Sequence, residues 1–347
     1  MNIASNIQLS VIVAVYQRRI ELIELLTSLG RQNCKDFEVI IIDDGSPFPL
    51  GEYIGHFAHQ LDIHYYYKNN SGPGQSRNYG MHKAKGNYFV FLDSDVIVPE
   101  NYICEVLTEL NDNYVDFFGG SDAAHESFDE LQKAINFSMT SMITTGGIRG
   151  GKRKIDKFQP RSFNMGISRE AYEATGGFGP LRVGEDPDLS MTLWEKGFKS
   201  RWFPRAFVYH KRRTDIEKFQ QQVYNFGIAR PILNQRHPAH RSLTFWFPSL
   251  FFLAEVVSLF LFIFYNNYIG IILFVIYFLV VFIFSSLQNK SMQIGLLSVL
   301  TTSIQFMYYG LGFLISQIKL HIFQQKPEKA FPSHFSKKAD SQIHFDV

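Results

Sequence analysis

Hydrophobic and polar positions alternate along the first hundred residues in two rhythms. Four short runs are mostly apolar and rich in β-branched or aromatic side chains: Leu9–Val15, Phe37–Asp43, residues 63–67 and Tyr88–Asp93. Each has the length and character of a buried strand. Between them the period lengthens. Leu22, Leu25, Leu26 and Leu29 fall at i, i+3, i+4 and i+7, which is one face of a helix. Pro99 sits where the first turn of a further helix, 99–111, would accept it. Strands alternating with helices predict an α/β fold, a doubly wound and mostly parallel sheet covered on both faces. In such a sheet ligands bind beyond the carboxyl ends of the strands. The first run is followed directly by Gln17-Arg18-Arg19, with neither a basic stretch before it nor a small-residue cleavage site after it. It therefore reads as a strand and not as a signal peptide.

After residue 242 the pattern changes. Residues 245–265, 268–287 and 294–318 are each close to the roughly 20 apolar residues that cross a bilayer, and from Ser242 to Ile318 the only fully charged side chains are Glu255 and Lys290. The expected organisation is a polar domain over 1–241, a transmembrane helical region over 242–318, and a basic tail over 319–347. Between Lys199 and Arg241 ten Lys or Arg side chains meet only Asp215 and Glu217. This excess predicts that residues 1–241 face the cytoplasm, at the plasma or inner membrane if the protein is bacterial. Three full crossings would export a tail that carries Lys319, Lys326, Lys329, Lys337 and Lys338, against the same rule, so the number of crossings stays open. A helix over 219–230, with Tyr224, Phe226, Gly227 and Arg230, could lie on the membrane surface.

Composition narrows the classes further. With 46% hydrophobic and 16% aromatic residues in 347, the chain is neither disordered nor a simple soluble enzyme. Residues 1–241 hold 28 basic and 28 acidic side chains, so no bulk attraction to nucleic acid is expected. Two cysteines, Cys34 and Cys104, are too few for a disulfide scaffold and make a reducing compartment the default for the polar part.

Candidate chemistry lies where the strands stop. Ile40-Ile41-Ile42 runs into Asp43-Asp44-Gly45-Ser46, and Tyr88-Phe89-Val90-Phe91-Leu92 runs into Asp93-Ser94-Asp95. Two acids at i and i+2 on an extended segment point the same way. With phosphate oxygens they suit a hard divalent cation such as Mg2+ or Mn2+, which would neutralise a diphosphate leaving group. A polar turn or a helix cap is the plain alternative for either motif alone. Between them, Gly72-Pro73-Gly74-Gln75-Ser76-Arg77-Asn78-Tyr79-Gly80 is a glycine-rich turn entering a helix, with Arg77 one turn in, where an anion could be met. Further on, Gly184-Glu185-Asp186-Pro187-Asp188 places acids just before a helix whose first residue could be Pro187. Acids there also suit the helix dipole. His210 ends another apolar run, Val208-Tyr209-His210. Residues 149–161 form a basic, glycine-containing segment that reads as a surface loop.

Taken in order, Val-Ile-Val-Ala-Val-Tyr, Ile-Asp-Asp-Gly-Ser, Gly-x-x-x-Ser-Arg-Asn-x-Gly and Phe-Leu-Asp-Ser-Asp resemble the inverting family 2 glycosyltransferases of GT-A fold, from about Ser10 to His210. The resemblance implies that Val15, Tyr16 and Asp44 hold the nucleotide base and that Arg77 lies near the donor. It implies that Asp93, and above all Asp95, bind metal and donor diphosphate, with His210 completing the metal site. It gives Asp186 the role of general base, with Glu185 in support; direct displacement at an anomeric carbon requires such a base. The partners implied are a nucleotide-diphosphate sugar, in particular a UDP-sugar, and a lipid-linked or membrane-proximal glycan acceptor. Processive members carry Gln-x-x-Arg-Trp where this chain has Gln235-Arg236-His237, which favours transfer of single sugars over a processive polysaccharide synthase. A non-catalytic membrane scaffold of the same fold is disfavoured by the intact acids Asp44, Asp93, Asp95 and Asp186. Nucleotidyl transfer would want a glycine-rich phosphate loop after the first strand, where Tyr16-Gln17-Arg18-Arg19 stands.

Overall fold

The computed structural model describes residues 7–123, 128–145, 158–211, 215–336 and 345–346. Two compact units divide the chain. The first contains residues 1–123, 153–210 and 335–347; the second contains residues 124–152 and 211–334. The division expected at residue 241 therefore does not follow the contacts. The helix Ile216–Arg236 belongs with the apolar helices, and Phe335, Ser336 and Phe345–Asp346 belong with the sheet.

The first unit is built on a sheet. Its strands are β1 (Leu9–Val15), β2 (Phe37–Asp43), β3 (Asp62–Tyr67), β4 (Tyr88–Asp93), β5 (Val96–Ile97), β6 (Phe117–Ala123), β7 (Asn164–Ser168), β8 (Ser200–His210) and β9 (Phe345–Asp346). They lie in the order β5-β8-β6-β7-β4-β1-β2-β3-β9. The four expected runs form the parallel centre β4-β1-β2-β3. β7 inserts antiparallel between β4 and β6, and β6 and β8 are parallel to one another. Val11, Ile12, Val13, Val39, Ile40, Ile41, Val90 and Phe91 are wholly buried, as continuous apolar strands covered on both faces must be.

The helix Arg19–Gly30 buries Leu22, Leu25, Leu26 and Leu29, the face its periodicity predicts. Gly80 brings the helix Pro73–Lys83 close to the sheet, since a Cβ there would stand 2.5 Å from Ile12 Cγ2. Two boundaries differ from expectation. The helix expected at 99–111 runs from Tyr102 to Asp112, because Val96–Ile97 is taken into the sheet beside β8 and a turn at Pro99 intervenes. The helix expected to open at Pro187 opens at Glu185, directly after Gly184 with φ of 82°, a left-handed value that favours glycine. Cys34 and Cys104, 70 residues apart in sequence, are bonded to one another with Cα atoms 5.3 Å apart, a disulfide that runs against the reducing compartment expected from the low cysteine count.

In the second unit three helices are long and apolar enough to cross a membrane by length and composition: Leu243–Tyr265, Ile269–Asn289 and Met292–Ile322. Their starts and ends lie within a few residues of the expected ones. The helix Ile216–Arg236 turns its apolar face, Phe219, Val223, Ile228 and Ile232, inward, and Gly227 stands against the Tyr309 carbonyl of the third long helix. That face is thus occupied by protein. Of the basic segment 149–161, residues up to 157 lie outside the described residues, as do Lys337 and Lys338.

Candidate active site

Strand register gathers the site. Val15 pairs with Asp43, Asp43 with Tyr67, and Ala14 with Asp93, so the carboxyl ends of β1 to β4 form one edge. Each chain segment leaving that edge carries polar side chains.

Asp43 is fully buried and holds the turn after β2 together. Its carboxylate accepts hydrogen bonds from the Ser46 amide (2.9 Å) and the Tyr65 hydroxyl (2.8 Å). Burial and the adjacent Asp43 charge push the Tyr65 hydroxyl pKa well up. Asp44 has its amide on the Val15 carbonyl (2.8 Å), while its carboxylate accepts from the amides of Ser71 and Gly72 (both 2.9 Å) and from Lys68 Nζ. Gly72 has φ of 98°, which frees its amide to point at Asp44. The acid and the loop before the helix Pro73–Lys83 therefore form one structure with Val15. Tyr16 is 44% exposed beside it, and the Gln17 amide donates to Ser46 Oγ (3.0 Å).

The second cluster lies beyond β4. Because β5 pairs antiparallel with β8, with Val96 opposite His210, the last residue of β8 comes beside Asp95. His210 Nε2 is 3.4 Å from Asp95 Oδ1, and the imidazole stacks on Phe163 with centroids 4.5 Å apart. Arg18, the first basic residue after β1, forms an ion pair with Asp95. One ligand atom from each of Asp93, Asp95 and His210 lies within 4.8 Å of the others. Two carboxylates and an imidazole are a donor set that fits a divalent cation such as Mg2+ or Mn2+.

Arg77 links this cluster to the third. Its guanidinium donates to Asp93 Oδ1 (2.6 Å) and to Glu185 Oε1 (3.3 Å), and it lies 5.3 Å from the Phe178 ring centroid. Burial alone would lower its pKa, but Asp93 and Glu185 outweigh that and the net direction is up. Its charge is shared between two carboxylates, so it organises the acids. Burial, and next the Asp186 charge, push the Glu185 carboxyl up to about 7 despite Arg77. Asp186 is the more open of the pair and stands 3.6 Å from Arg161.

All the residues expected from sequence thus converge: Val15, Tyr16 and Asp44 at one end, Asp93, Asp95 and His210 in the middle, Glu185 and Asp186 at the other. Lys68, Arg18 and Arg161 were missed. Lys68 and Arg18 directly follow β3 or lie within three residues of β1, so the rule that found the acids, polar side chains just past a strand's carboxyl end, would have found them.

A mixed, mostly parallel sheet with acids along its carboxyl edge defines a ligand-binding α/β domain. Comparison with known proteins shows which of them the chain resembles. Residues 10–176 match the model described as Glycosyl transferase family 2. An uncharacterized glycosyltransferase of Rickettsia bellii is 34% identical over 146 residues, 42% of this chain and 21% of that protein. The GalNAc(5)-diNAcBac-PP-undecaprenol beta-1,3-glucosyltransferase of Campylobacter jejuni is 29% identical over 226 residues, 64% of this chain and 69% of that one. Among solved structures, a mannosyltransferase from Pyrobaculum calidifontis in complex with GDP-Man and Mn2+ shares the fold, with a TM-score of 0.53 at 17% identity over 66% of this chain and 65% of that one. The chain spans 21 to 24% of the length of its Rickettsia relatives. Residues 10–176 are thus similar to family 2 glycosyltransferases, and the fold is of GT-A type.

Proposed function

We propose that the chain is a membrane-anchored, inverting glycosyltransferase that moves one sugar from a nucleotide-diphosphate donor, a UDP-sugar by preference, to a lipid-linked or membrane-proximal glycan. The observation that carries this reading is the continuous row Asp95, Asp93, Arg77, Glu185, Asp186 along one edge of the sheet. Val15, Tyr16 and Asp44 hold the base. Asp93, Asp95 and His210 hold a divalent cation, Mg2+ or Mn2+. When bound, that cation supplies positive charge to the departing diphosphate. Arg77 keeps Asp93 and Glu185 in fixed relation, so the donor end and the acceptor end of the site are positioned together. Asp186 takes the proton of the attacking acceptor hydroxyl, and Glu185 supports it. Attack opposite to the leaving nucleotide inverts the anomeric centre.

The lipid-linked acceptor named for the Campylobacter relative and the three apolar helices support a membrane-bound acceptor here. The basic excess before the first of those helices supports a cytoplasmic catalytic face, where nucleotide sugars are made. Membranes containing the protein, offered a panel of nucleotide sugars with Mn2+, Mg2+ or a chelator, test the proposal. We expect metal-dependent hydrolysis of one donor and addition of a single residue to a lipid extract. A product ladder would instead mean a polymerase, and no turnover of any donor would contradict the proposal.

A further inference from the structure

The chain leaves the sheet-bearing unit, passes through the apolar helices and comes back. Beyond the third long helix, the Ser336 amide donates to the Pro180 carbonyl (2.8 Å), Phe335 forms an antiparallel bridge with Leu181, and β9 extends the sheet beyond β3 at Tyr66 and Tyr67. Ser336 Oγ lies 3.5 Å from where a Cβ on Gly72 would stand, beside the loop that binds Asp44. A folded sheet with its backbone hydrogen bonds cannot be divided between the two sides of a bilayer. Segments of one unit that flank the apolar helices must therefore lie on the same side, and the number of crossings between them is even. Three is excluded.

The helices themselves indicate which pair crosses. Leu243–Tyr265 and Ile269–Asn289 are buried over only 6% and 11% of their most apolar stretches, against 44% for Met292–Ile322. Their regular parts, Phe247–Tyr265 and Ile269–Asn289, have 19 and 21 residues. At about 1.5 Å per residue they span roughly 29 and 32 Å, matching a hydrocarbon core of about 30 Å. Trp246 stands at the entry, and Tyr265 and Tyr268 flank the turn Asn266-Asn267, where Asn266 is left-handed. Aromatic side chains at both ends are the pattern of two membrane interfaces.

The third helix differs. Its buried residues include Ser298, Thr301, Thr302, Gly310, Gly312 and Ser316. Ser138 bonds Thr301 (2.6 Å) from the helix Glu130–Thr140, and Ser316 donates to the Ile228 carbonyl (3.0 Å) of Ile216–Arg236. Those two covering helices carry Glu130, Lys133, Glu217, Lys218 and Arg236, which a lipid-surrounded assembly would not place there.

We infer that residues 247–289 form a two-pass hairpin in the lipid bilayer, that Asn266-Asn267 emerges on the face opposite the nucleotide site, and that Met292–Ile322 does not cross. The inference rests on the membrane reading of the proposed function and not on its chemistry. It also places Lys290, Lys319, Lys326 and Lys329 on the side of the ten basic residues between Lys199 and Arg241, which removes the conflict that three crossings create.

The test uses single cysteines at Glu52, Asn267 and Lys329 in the full chain carrying Cys34→Ala and Cys104→Ala. Sealed vesicles are labelled with a membrane-impermeant maleimide from each face. We expect positions 52 and 329 to react from one face and position 267 from the other. Reaction of 329 from the face opposite 52 would mean an odd number of crossings and overturn the inference. Reaction of 267 from the same face as 52, or from neither face until detergent is added, would mean a re-entrant hairpin and overturn it equally. Protease sites inserted at the same three positions with both native cysteines present give the same readout if the cysteine-free variant folds poorly. No turnover is measured, so a failed donor screen and a failed topology are separate outcomes.

Discussion

The two units have opposite interiors. In the first, Val13, Ile40, Phe91 and their neighbours fill the centre, and buried charged groups are paired or hydrogen-bonded: Asp44 with Lys68, Arg77 with Asp93 and Glu185, Asp43 with the Ser46 amide and the Tyr65 hydroxyl. In the second, Ser138, Ser285, Ser298, Thr301, Thr302 and Ser316 are fully buried, while Leu253, Val256, Phe260, Ile263, Phe264, Ile272 and Leu273 lie outside. Water drives apolar side chains inward and makes an unpaired buried charge costly. Lipid supplies no such drive, so apolar side chains can stay outward there, while the small residues and hydroxyls within the second unit let its helix backbones approach. Gly312, whose Cβ would stand 2.4 Å from the Tyr224 carbonyl, shows the close backbone approach of the second unit; the Lys68 ammonium on Asp44 shows the charge pairing of the first. The contrast lies in the outward apolar faces of Leu243–Tyr265 and Ile269–Asn289, which the sheet-bearing unit does not share.

The contrast breaks most visibly at the metal cluster. Asp95→Ala should reduce metal-dependent donor affinity by about 10²-fold or more, because a methyl group replaces a carboxylate that faces both His210 and Arg18. Calorimetry with nucleotide and Mn2+ measures it, and unchanged affinity would remove Asp95 from the metal site. Asp44→Ala is expected to act twice. It should weaken even free nucleotide, and by leaving Lys68 buried without its partner it should cost about 3–5 kcal/mol in urea unfolding. A loss of binding seen only with the whole sugar donor would refute the base-binding role.

Gly312→Leu probes the other unit. Overpacking against the Tyr224 backbone should cost about 1–3 kcal/mol, read as a lower unfolding temperature in nanodiscs with nucleotide affinity unchanged. An unaltered unfolding temperature would mean that the close approach does not hold that unit together.

The smallest effect concerns pH. The Glu185 carboxyl is held up to about 7 from its usual 4.5, so the folded state binds its proton more tightly than the unfolded state. The stability this confers is fully present below about 4.5 and is lost as pH rises through about 7. Glu185→Gln should flatten the fall in urea midpoint between pH 5 and 8, and a slope identical to the parent's would show that Glu185 is not the group responsible.

The sheet's centre was legible because β1, β2 and β4 are buried on both faces and so read as nearly continuous apolar runs, broken in β1 and β2 only by Ser10 and Glu38, which bond one another. β6 and β7 were not legible. Gly119, Gly120 and Gly166 interrupt their apolar character, and each allows a close approach that only the folded chain reveals, such as Gly120 against the Ala206 carbonyl. The acids of the site were visible because each follows a strand or opens a helix. Their basic partners were not, since the pairing of Arg18 with Asp95 spans 77 residues and that of Arg77 with Glu185 spans 108. The same holds for Ser336, whose return to the first unit depends on the register of a tail that follows three apolar helices.

The central claim is that Asp186 receives the acceptor's proton at a site that binds the donor without it. Such a base acts in the transition state, so its loss should lower the rate far more than donor affinity. Donor binding and single-turnover transfer, measured side by side for Asp186→Asn and Glu185→Gln, test this most directly. The account predicts near-normal donor binding in both, a fall of about 10²–10⁴ in rate for Asp186→Asn, and a smaller fall for Glu185→Gln. Near-normal transfer by Asp186→Asn with collapse in Glu185→Gln would contradict it and make the buried Glu185 the base; loss of donor binding in both would mean that this pair serves the nucleotide instead.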